Sequence, residues 1–152
     1  MYSFYCKKCK IRIEAKFGIG MMFPKVYRDT VLKAKNGELG EEIQKFFIEN
    51  PNGAIDVSNV LGVCSECGQY EKILDLTMYV PKKNIELPEK DYILYKYLEE
   101  YYEVFREYPH KCKKCSGDLK IILHDESKKY KRNILCPNCK KYMIKKFIGY
   151  WD

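Results

Sequence analysis

The eight cysteines of this 152-residue chain fall into four Cys-x-x-Cys pairs: Cys6/Cys9, Cys64/Cys67, Cys112/Cys115 and Cys136/Cys139. Thiols in this pattern can form disulfides, exchange electrons as dithiols, or hold metal. A disulfide framework scatters its half-cystines at varied spacings to tie remote loops together, which one repeated spacing does not do. Thioredoxin-type exchange needs a pair at a helix N-terminus after a strand, and no pair has that setting in the sequence. Metal fits best. Eight thiolates make two tetrahedral sets of four, and a set of four protein ligands leaves no position open for catalysis. Zinc is the expected cofactor at two ions per chain, although four thiolates suit iron in a rubredoxin-like site as well.

Other residue types that could do chemistry are sparse. His110 and His124 are not needed as ligands and have no identifiable nucleophile or orienting partner, so both are expected at solvent. No catalytic residue is assigned, and a non-enzyme is expected. The segment GIGMMFP, with Gly18 and Gly20, lacks the spacing of either phosphate-binding fingerprint. Its two methionines suit a buried loop or a partner-binding surface. Towards the C-terminus, Lys128, Lys129, Lys131, Arg132, Lys141, Lys145 and Lys146 interleave with aromatics that include Trp151. Nucleic-acid binding by phosphate contacts and base stacking uses this composition. The competing reading is an amphipathic strand, with the aromatics interior and the lysines a solvated face.

The elements around the cysteines can be read from periodicity. In residues 110–152, CKKC is followed by DLKIIL, a strand with apolar Leu119, Ile121 and Leu123, and CPNC is followed by the strand KYMIKKFIGYW. Twenty residues separate Cys115 from Cys136, enough for a hairpin with a charged tip that would bring the two knuckles to one ion. Residues 1–80 look like the same device interrupted, because 54 residues lie between Cys9 and Cys64. About residues 24–52 carry helical signals: VYRDTVLKAK, stopped at Asn36-Gly37, and LGEEIQKFFIEN, with Leu39, Ile43, Phe46 and Phe47 on one face. In residues 81–109, Ile93, Tyr97, Leu98, Tyr101, Val104, Phe105 and Tyr108 recur at three- and four-residue steps, which predicts a helical linker; the tyrosine density leaves a strand open.

The predicted fold class is therefore a small α+β, metal-stabilised protein. It has two zinc-ribbon β units, a helical insertion in the first (1–80) and a helical linker (81–109) before a basic second unit (110–152). Sequential pairing of the CxxC motifs is favoured by the short second loop, with a nested arrangement as the alternative. Each ribbon alone is too small to hold a core without metal.

The formal charge of +7 divides as +1, −2 and +8 over these three segments. Four thiolates around a divalent ion carry −2, so two sites lower the chain to about +3. No basic-then-apolar leader opens the chain and the longest uncharged apolar run has eight residues, so a cytoplasmic protein without a membrane partner is expected.

The CxxC pairs resemble the zinc-ribbon superfamily, with its rubredoxin-like knuckles, over residues 1–80 and 110–152. FGIGMMFP, NGELG and CSECG also look like blocks of uncharacterised bacterial zinc-ribbon proteins, which implies no activity. The family often places glycine after the second cysteine of a knuckle, where φ is positive. Here only Gly68 does so, while Lys10, Ser116 and Lys140 hold the other three places at a cost of about 1 kcal/mol or more each. Asp125 and Glu126, midway between Cys115 and Cys136, resemble the acidic hairpin tip by which transcript-cleavage factors help hold a metal in RNA polymerase. The flanking arginine and serine of that motif are absent, and a solvated turn is the preferred reading.

Two function classes follow. The leading one is a zinc-binding, non-enzymatic adaptor or regulatory protein that presents its ribbons to a protein partner. The alternative is a nucleic-acid or RNA-polymerase-associated binding module acting through the basic C-terminal unit.

Overall fold

The computed structural model describes residues 1–123 and 134–150. In chain order the elements are β1 (Tyr2–Tyr5), β2 (Arg12–Ala15), α1 (Phe23–Lys35), α2 (Glu41–Glu49), β3 (Ala54–Ile55), β4 (Asn59–Cys64), β5 (Tyr70–Leu74), β6 (Met78–Pro81), α3 (Tyr95–Tyr101), β7 (Tyr102–Arg106), β8 (Leu119–Leu123) and β9 (Ile144–Phe147). The strands form three antiparallel sheets, ordered β2-β1-β9, β3-β6-β7 and β5-β4-β8. No helix among the described residues is long and apolar enough to cross a membrane. The chain divides into two units, Met1–Gly20 with Ser58–Leu74 and Pro109–Asp152, and Met21–Val57 with Asp75–Tyr108. Each is assembled from segments that are not consecutive in sequence, unlike the expected division at 80/81 and 109/110.

In the first unit the two sheets share one plan. β1 and β2 are the arms of a hairpin with Cys6 and Cys9 at its tip, in the register Tyr5↔Arg12 to Tyr2↔Ala15. β9, which leaves the Cys136/Cys139 pair, runs antiparallel along the other side of β1, from Tyr5↔Ile144 to Tyr2↔Phe147. Likewise β4 and β5 flank Cys64 and Cys67, pairing from Val63↔Tyr70 to Asn59↔Leu74. β8 leaves the Cys112/Cys115 pair and runs along β4, with Cys64↔Leu119. The last two knuckles are tips of short hairpins closed by the bridges Lys111↔Asp118 and Leu135↔Tyr142.

The sequential pairing of knuckles is thus overturned. Residues 112–139 do not close on themselves, because β8 pairs with β4 and β9 with β1. Loop entropy is too weak to forbid this. Sequential closure leaves loops of 54 and 20 residues and nested closure leaves 126 and 44. The logarithmic dependence on length makes the difference only about 1.5 kcal/mol in all. Two strand pairings, each with cross-strand contacts on a half-buried face, outweigh that.

The main core of this unit surrounds Phe4, which is 0% exposed, and includes Ala15, Phe17, Leu61, Ile134 and Met143 together with Cys6 and Cys136. A smaller cluster joins Cys64, Cys112 and Leu119, with Ile73 packed against it. In both clusters the apolar packing reaches the sulfurs, so the sheets and the cysteines stabilise one another.

The second unit contains the helices. α1 carries Pro24 in its first turn and buries Phe23, Tyr27, Thr30 and Ala34 on one face. It ends in a Schellman arrangement: Gly37 (φ 80°) donates to the Ala34 carbonyl at 3.1 Å and Glu38 to that of Lys33 at 3.0 Å. α2 has Glu41 and Glu42 in its first turn, where the helix dipole favours anions, and buries Ile43, Phe46 and Phe47. Residues 81–109 depart from a helical linker. Only Tyr95–Tyr101 is helical, and Tyr102–Arg106 continues as β7, paired with β6 from Pro81↔Tyr102 to Met78↔Arg106. Tyrosine, valine and phenylalanine favour strand as readily as they fill a helical stripe, and pairing with β6 decides for strand.

Phe4, on the central strand of its sheet, packs in the cluster that holds Cys6 and Cys136 of both knuckles. Phe4→Ala should therefore lower stability by about 3–5 kcal/mol, read as a shift of the urea midpoint of the metal-loaded chain with unchanged slope.

Candidate metal centres

Each knuckle is built by the same three backbone features. The first cysteine donates its N–H to the carbonyl five residues on: Cys6 to Ile11 (2.9 Å), Cys64 to Gln69 (2.9 Å), Cys112 to Gly117 (2.8 Å) and Cys136 to Lys141 (2.8 Å). The residue four on donates back to the first cysteine's carbonyl, from Lys10, Gly68, Ser116 and Lys140 at 2.8–3.1 Å. These same four residues carry φ of 58°, 69°, 60° and 57°. The turn that the family resemblance implies is therefore present at all four knuckles, and at three of them a side chain bears the left-handed strain. None of the four pairs opens a helix, so the setting that thioredoxin-type chemistry requires is absent from every one.

Within a knuckle the backbone addresses the first sulfur. The Cys9 N–H lies 3.4 Å from Cys6 Sγ, and the Cys67 N–H 3.5 Å from Cys64 Sγ. Between knuckles, Cys6 Sγ is 3.6 Å from Cys139 Sγ, Cys64 Sγ is 3.4 Å from Cys115 Sγ, and Cys67 Sγ is 3.7 Å from Cys112 Sγ. The sulfurs form two sets, Cys6, Cys9, Cys136 and Cys139, and Cys64, Cys67, Cys112 and Cys115, in which all ligand atoms lie within 4.8 Å of one another. A disulfide would require about 2.05 Å. A tetrahedron of sulfurs about 2.3 Å from a central zinc has edges of about 3.8 Å, close to the separations here. Two clusters that could each hold one metal ion are thus formed, in the nested arrangement.

The thiols of each set do not ionise alike. Cys64 is lowered to about 7, chiefly because the Cys67 N–H points at its sulfur, and Cys136 is lowered to about 7 by the Cys139 N–H. Cys9 is pushed up to about 12 by its contact with the Cys139 thiol. At Cys115 the Gly117 N–H favours the thiolate, but the neighbouring sulfurs of Cys64 and Cys67 prevail and push it up to about 12. Burial raises Cys112. Without metal, one thiol of each set, Cys136 or Cys64, thus ionises easily, while Cys9 in the first set and Cys112 and Cys115 in the second resist adding negative charge, an environment that a divalent cation would relieve.

The sets differ in exposure. In one, Cys6 and Cys136 are buried and Cys9 and Cys139 half-buried; in the other, Cys67 and Cys115 are exposed. A carboxylate braces the second set: Glu71 Oε1 accepts the Lys113 N–H at 2.7 Å, inside the Cys112/Cys115 knuckle. His110, expected at solvent, is buried at 8% exposure, its carbonyl accepting the Leu119 N–H at 2.9 Å. Packing of the short hairpin over Cys112 draws it in. Met21 and Met22 are exposed rather than part of a buried loop.

Of the proposed cationic residues, Lys141 and Lys146 are exposed and Lys145 is half-buried. Lys145 Nζ sits 4.1 Å from the centroid of the Tyr2 ring. His124, Asp125, Glu126, Lys128, Lys129, Lys131, Arg132 and Trp151 lie outside the described residues. The sequence identifies all eight sulfurs as ligands, but its short second loop favours the sequential partners that the structure replaces with nested ones. One sequence signal bears on this: YSFYCKKCKIRIEA is already a complete hairpin with its knuckle at the tip, and so must look elsewhere for a second pair.

No family model, curated protein or solved structure matches this chain.

Nested pairing makes a direct prediction for metal stoichiometry by native mass spectrometry. Cys6→Ser releases one ion; adding Cys136→Ser releases no more, whereas adding Cys112→Ser releases the second. Relief of the left-handed strain is separately measurable, since Ser116→Gly should stabilise the metal-loaded chain by about 1 kcal/mol in a denaturant titration.

Proposed function

We propose that this chain is a non-enzymatic zinc protein in which two structural four-cysteine sites clip a pair of nested three-stranded zinc ribbons into a binding platform. The observation that carries the reading is the fourfold repetition of one knuckle, with its eight sulfurs gathered into two sets of four. Four thiolates complete a tetrahedral shell and leave no coordination position for a substrate, which is the mark of a structural rather than a catalytic zinc site. When bound, the metal would supply folding energy, with apparent values of about 10–16 kcal/mol per site in zinc-finger peptides. Three-stranded sheets of such short strands are too slight to hold without it.

The chain's own residues do the remaining work. Backbone N–H groups of Cys9 and Cys67 point at the sulfurs of Cys6 and Cys64 and help to hold them in position. β9 and β8 carry the second knuckle of each set to the first. The product is a rigid surface for a macromolecular partner, which is the adaptor role.

Elemental analysis with thiol titration tests this. Two zinc ions per chain are expected, with all eight thiols masked until a chelator is added. Chelation should proceed in two phases, the Cys64/Cys67/Cys112/Cys115 set losing its ion first because it is the more exposed of the two. Iron with visible charge-transfer absorption, or four thiols that react freely before chelation, would overturn the structural-zinc reading.

A further inference from the structure

We propose that the free edge of β9 in the metal-clipped unit is a binding surface for single-stranded nucleic acid; this deepens the platform reading and rests on it. The sequence allowed two dispositions of the aromatics in this strand; by register Phe147 and Lys145 lie on the face that carries the buried Phe4, at the rim of the core where Phe147 stays partly exposed. Met143 is the residue that turns into the core. Phe147, Tyr142 and Tyr150 are 48%, 74% and 90% exposed. Phe147 is packed between two of its neighbours: Tyr2 and Phe147 meet edge to face with centroids 5.5 Å apart, and Phe147 and Tyr150 do so at 5.3 Å. Partly exposed aromatic rings are the element on which successive bases stack, whatever their sequence.

Cations accompany the rings. Tyr2, Phe147 and Lys145 share one face of the sheet by register, and Lys145 lies over the Tyr2 ring. Lys146 turns to the opposite face beside Ser3, and Lys141 is exposed just before the strand. β9 is the edge of its sheet, so a strand laid along it meets Lys145 and the Phe147 ring on one face and Lys146 on the other.

The occupant is chosen by charge. The metal-clipped unit carries 18 Lys and Arg against 7 Asp and Glu, a formal +11, while the other unit has 10 against 14, or −4. Two tetrathiolate sites with divalent ions would subtract about 4 and leave the first unit near +7. An acidic or neutral protein partner would use the charge but not the rings; a hydrophobic one would use the rings but not the lysines. A flexible polyanion with exposed bases uses both, whereas a duplex hides its base faces.

The test is fluorescence anisotropy of labelled dT20, U20 and a 20-bp duplex with the zinc-loaded full chain. Binding of the single strands should exceed that of the duplex by at least tenfold. Three phosphates neutralised by Lys141, Lys145 and Lys146 give a loss of roughly 20-fold between 50 and 200 mM salt, falling to roughly 3-fold in the Lys145→Ala/Lys146→Ala variant. Tyr150→Ala should weaken binding about tenfold and Tyr150→Phe leave it intact; at 90% exposure Tyr150 can be replaced without loss of folding. A preference for dT20 or for U20 identifies the source of the strand, and either supports the surface. No binding up to about 100 µM protein at low salt would overturn the proposal. So would equal affinity for the duplex with Tyr150→Ala silent, which would be charge alone, or self-association abolished by Ile144→Asp, which would make β9 an interface between copies. Zinc content on the same samples separates the two readings: two ions without binding overturns the surface alone, and binding by a chain without metal overturns the platform alone.

Discussion

The crowding of four sulfurs within 4.8 Å is the constraint on which the first unit depends. Two unit charges about 4 Å apart repel by about 4 kcal/mol at the effective dielectric of a protein surface, and a tetrahedral set has six such pairs. Four thiolates would therefore force their hairpins apart. Protonation is one escape, expressed in the division between Cys64 and Cys136, lowered to about 7, and Cys9 and Cys115, pushed up to about 12. A divalent cation is the other, and only it lets all four sulfurs act at once. The closed sheets and the state of the thiols are thus linked, and any metal held there would compete with protons, so that acid would favour its release.

The nested pairing follows from the same economy of forces. Each of the first two knuckles is already the tip of a hairpin, so its backbone bonds are satisfied within the hairpin and its sulfurs seek a partner elsewhere. What selects the partner is the strand that follows each of the later knuckles. β8 and β9 stand in corresponding places, each leaving a short knuckle hairpin and pairing with the strand that enters a long one. This shared plan is the internal repeat that cysteine spacing hints at and residue identity does not. It also explains why the long loops are tolerated: the segments between Cys9 and Cys64 and between Cys67 and Cys112 fold into a unit with its own core, so neither loop is a free chain whose whole entropy must be lost on closure.

Sequence legibility tracks the range of the interaction. The sulfurs, the two helices and the Asn36-Gly37 stop were legible because each depends on residues within a few positions: a CxxC spacing, an apolar face at 3.6-residue period, a glycine that accepts positive φ. The knuckle partners were not, because all four pairs have identical spacing and the loop-length preference was too small to decide. β7 was hidden for a different reason, since Tyr101, Tyr102, Val104, Phe105 and Tyr108 fill a helical stripe but are residue types that favour strand as readily. His110 was misplaced because its burial comes from a short hairpin whose existence depends on the Lys111↔Asp118 bridge.

The one glycine among the four knuckle positions shows how the two sets constrain each other. Gly68 has φ of 69°, yet Lys10, Ser116 and Lys140 hold the same conformation with side chains, so conformation alone does not require glycine there. Space adds only a mild constraint: a Cβ at position 68 would lie 3.3 Å from Lys140 Nζ, the movable end of a flexible side chain. Lys140 follows Cys139 of one set and reaches the turn that follows Cys67 of the other, so an ammonium from one knuckle lies beside its neighbour. Lysine at 140 thus bears a strained φ while placing positive charge near sulfurs that carry negative charge when a metal is held. Such local neutralisation involves only a few of the lysines, since two occupied sites carry about −4 against a formal +11 on this unit. The positive charge of the unit therefore exceeds what its metal sites would neutralise, and most of its lysines face solvent on other grounds than charge balance at the sulfurs.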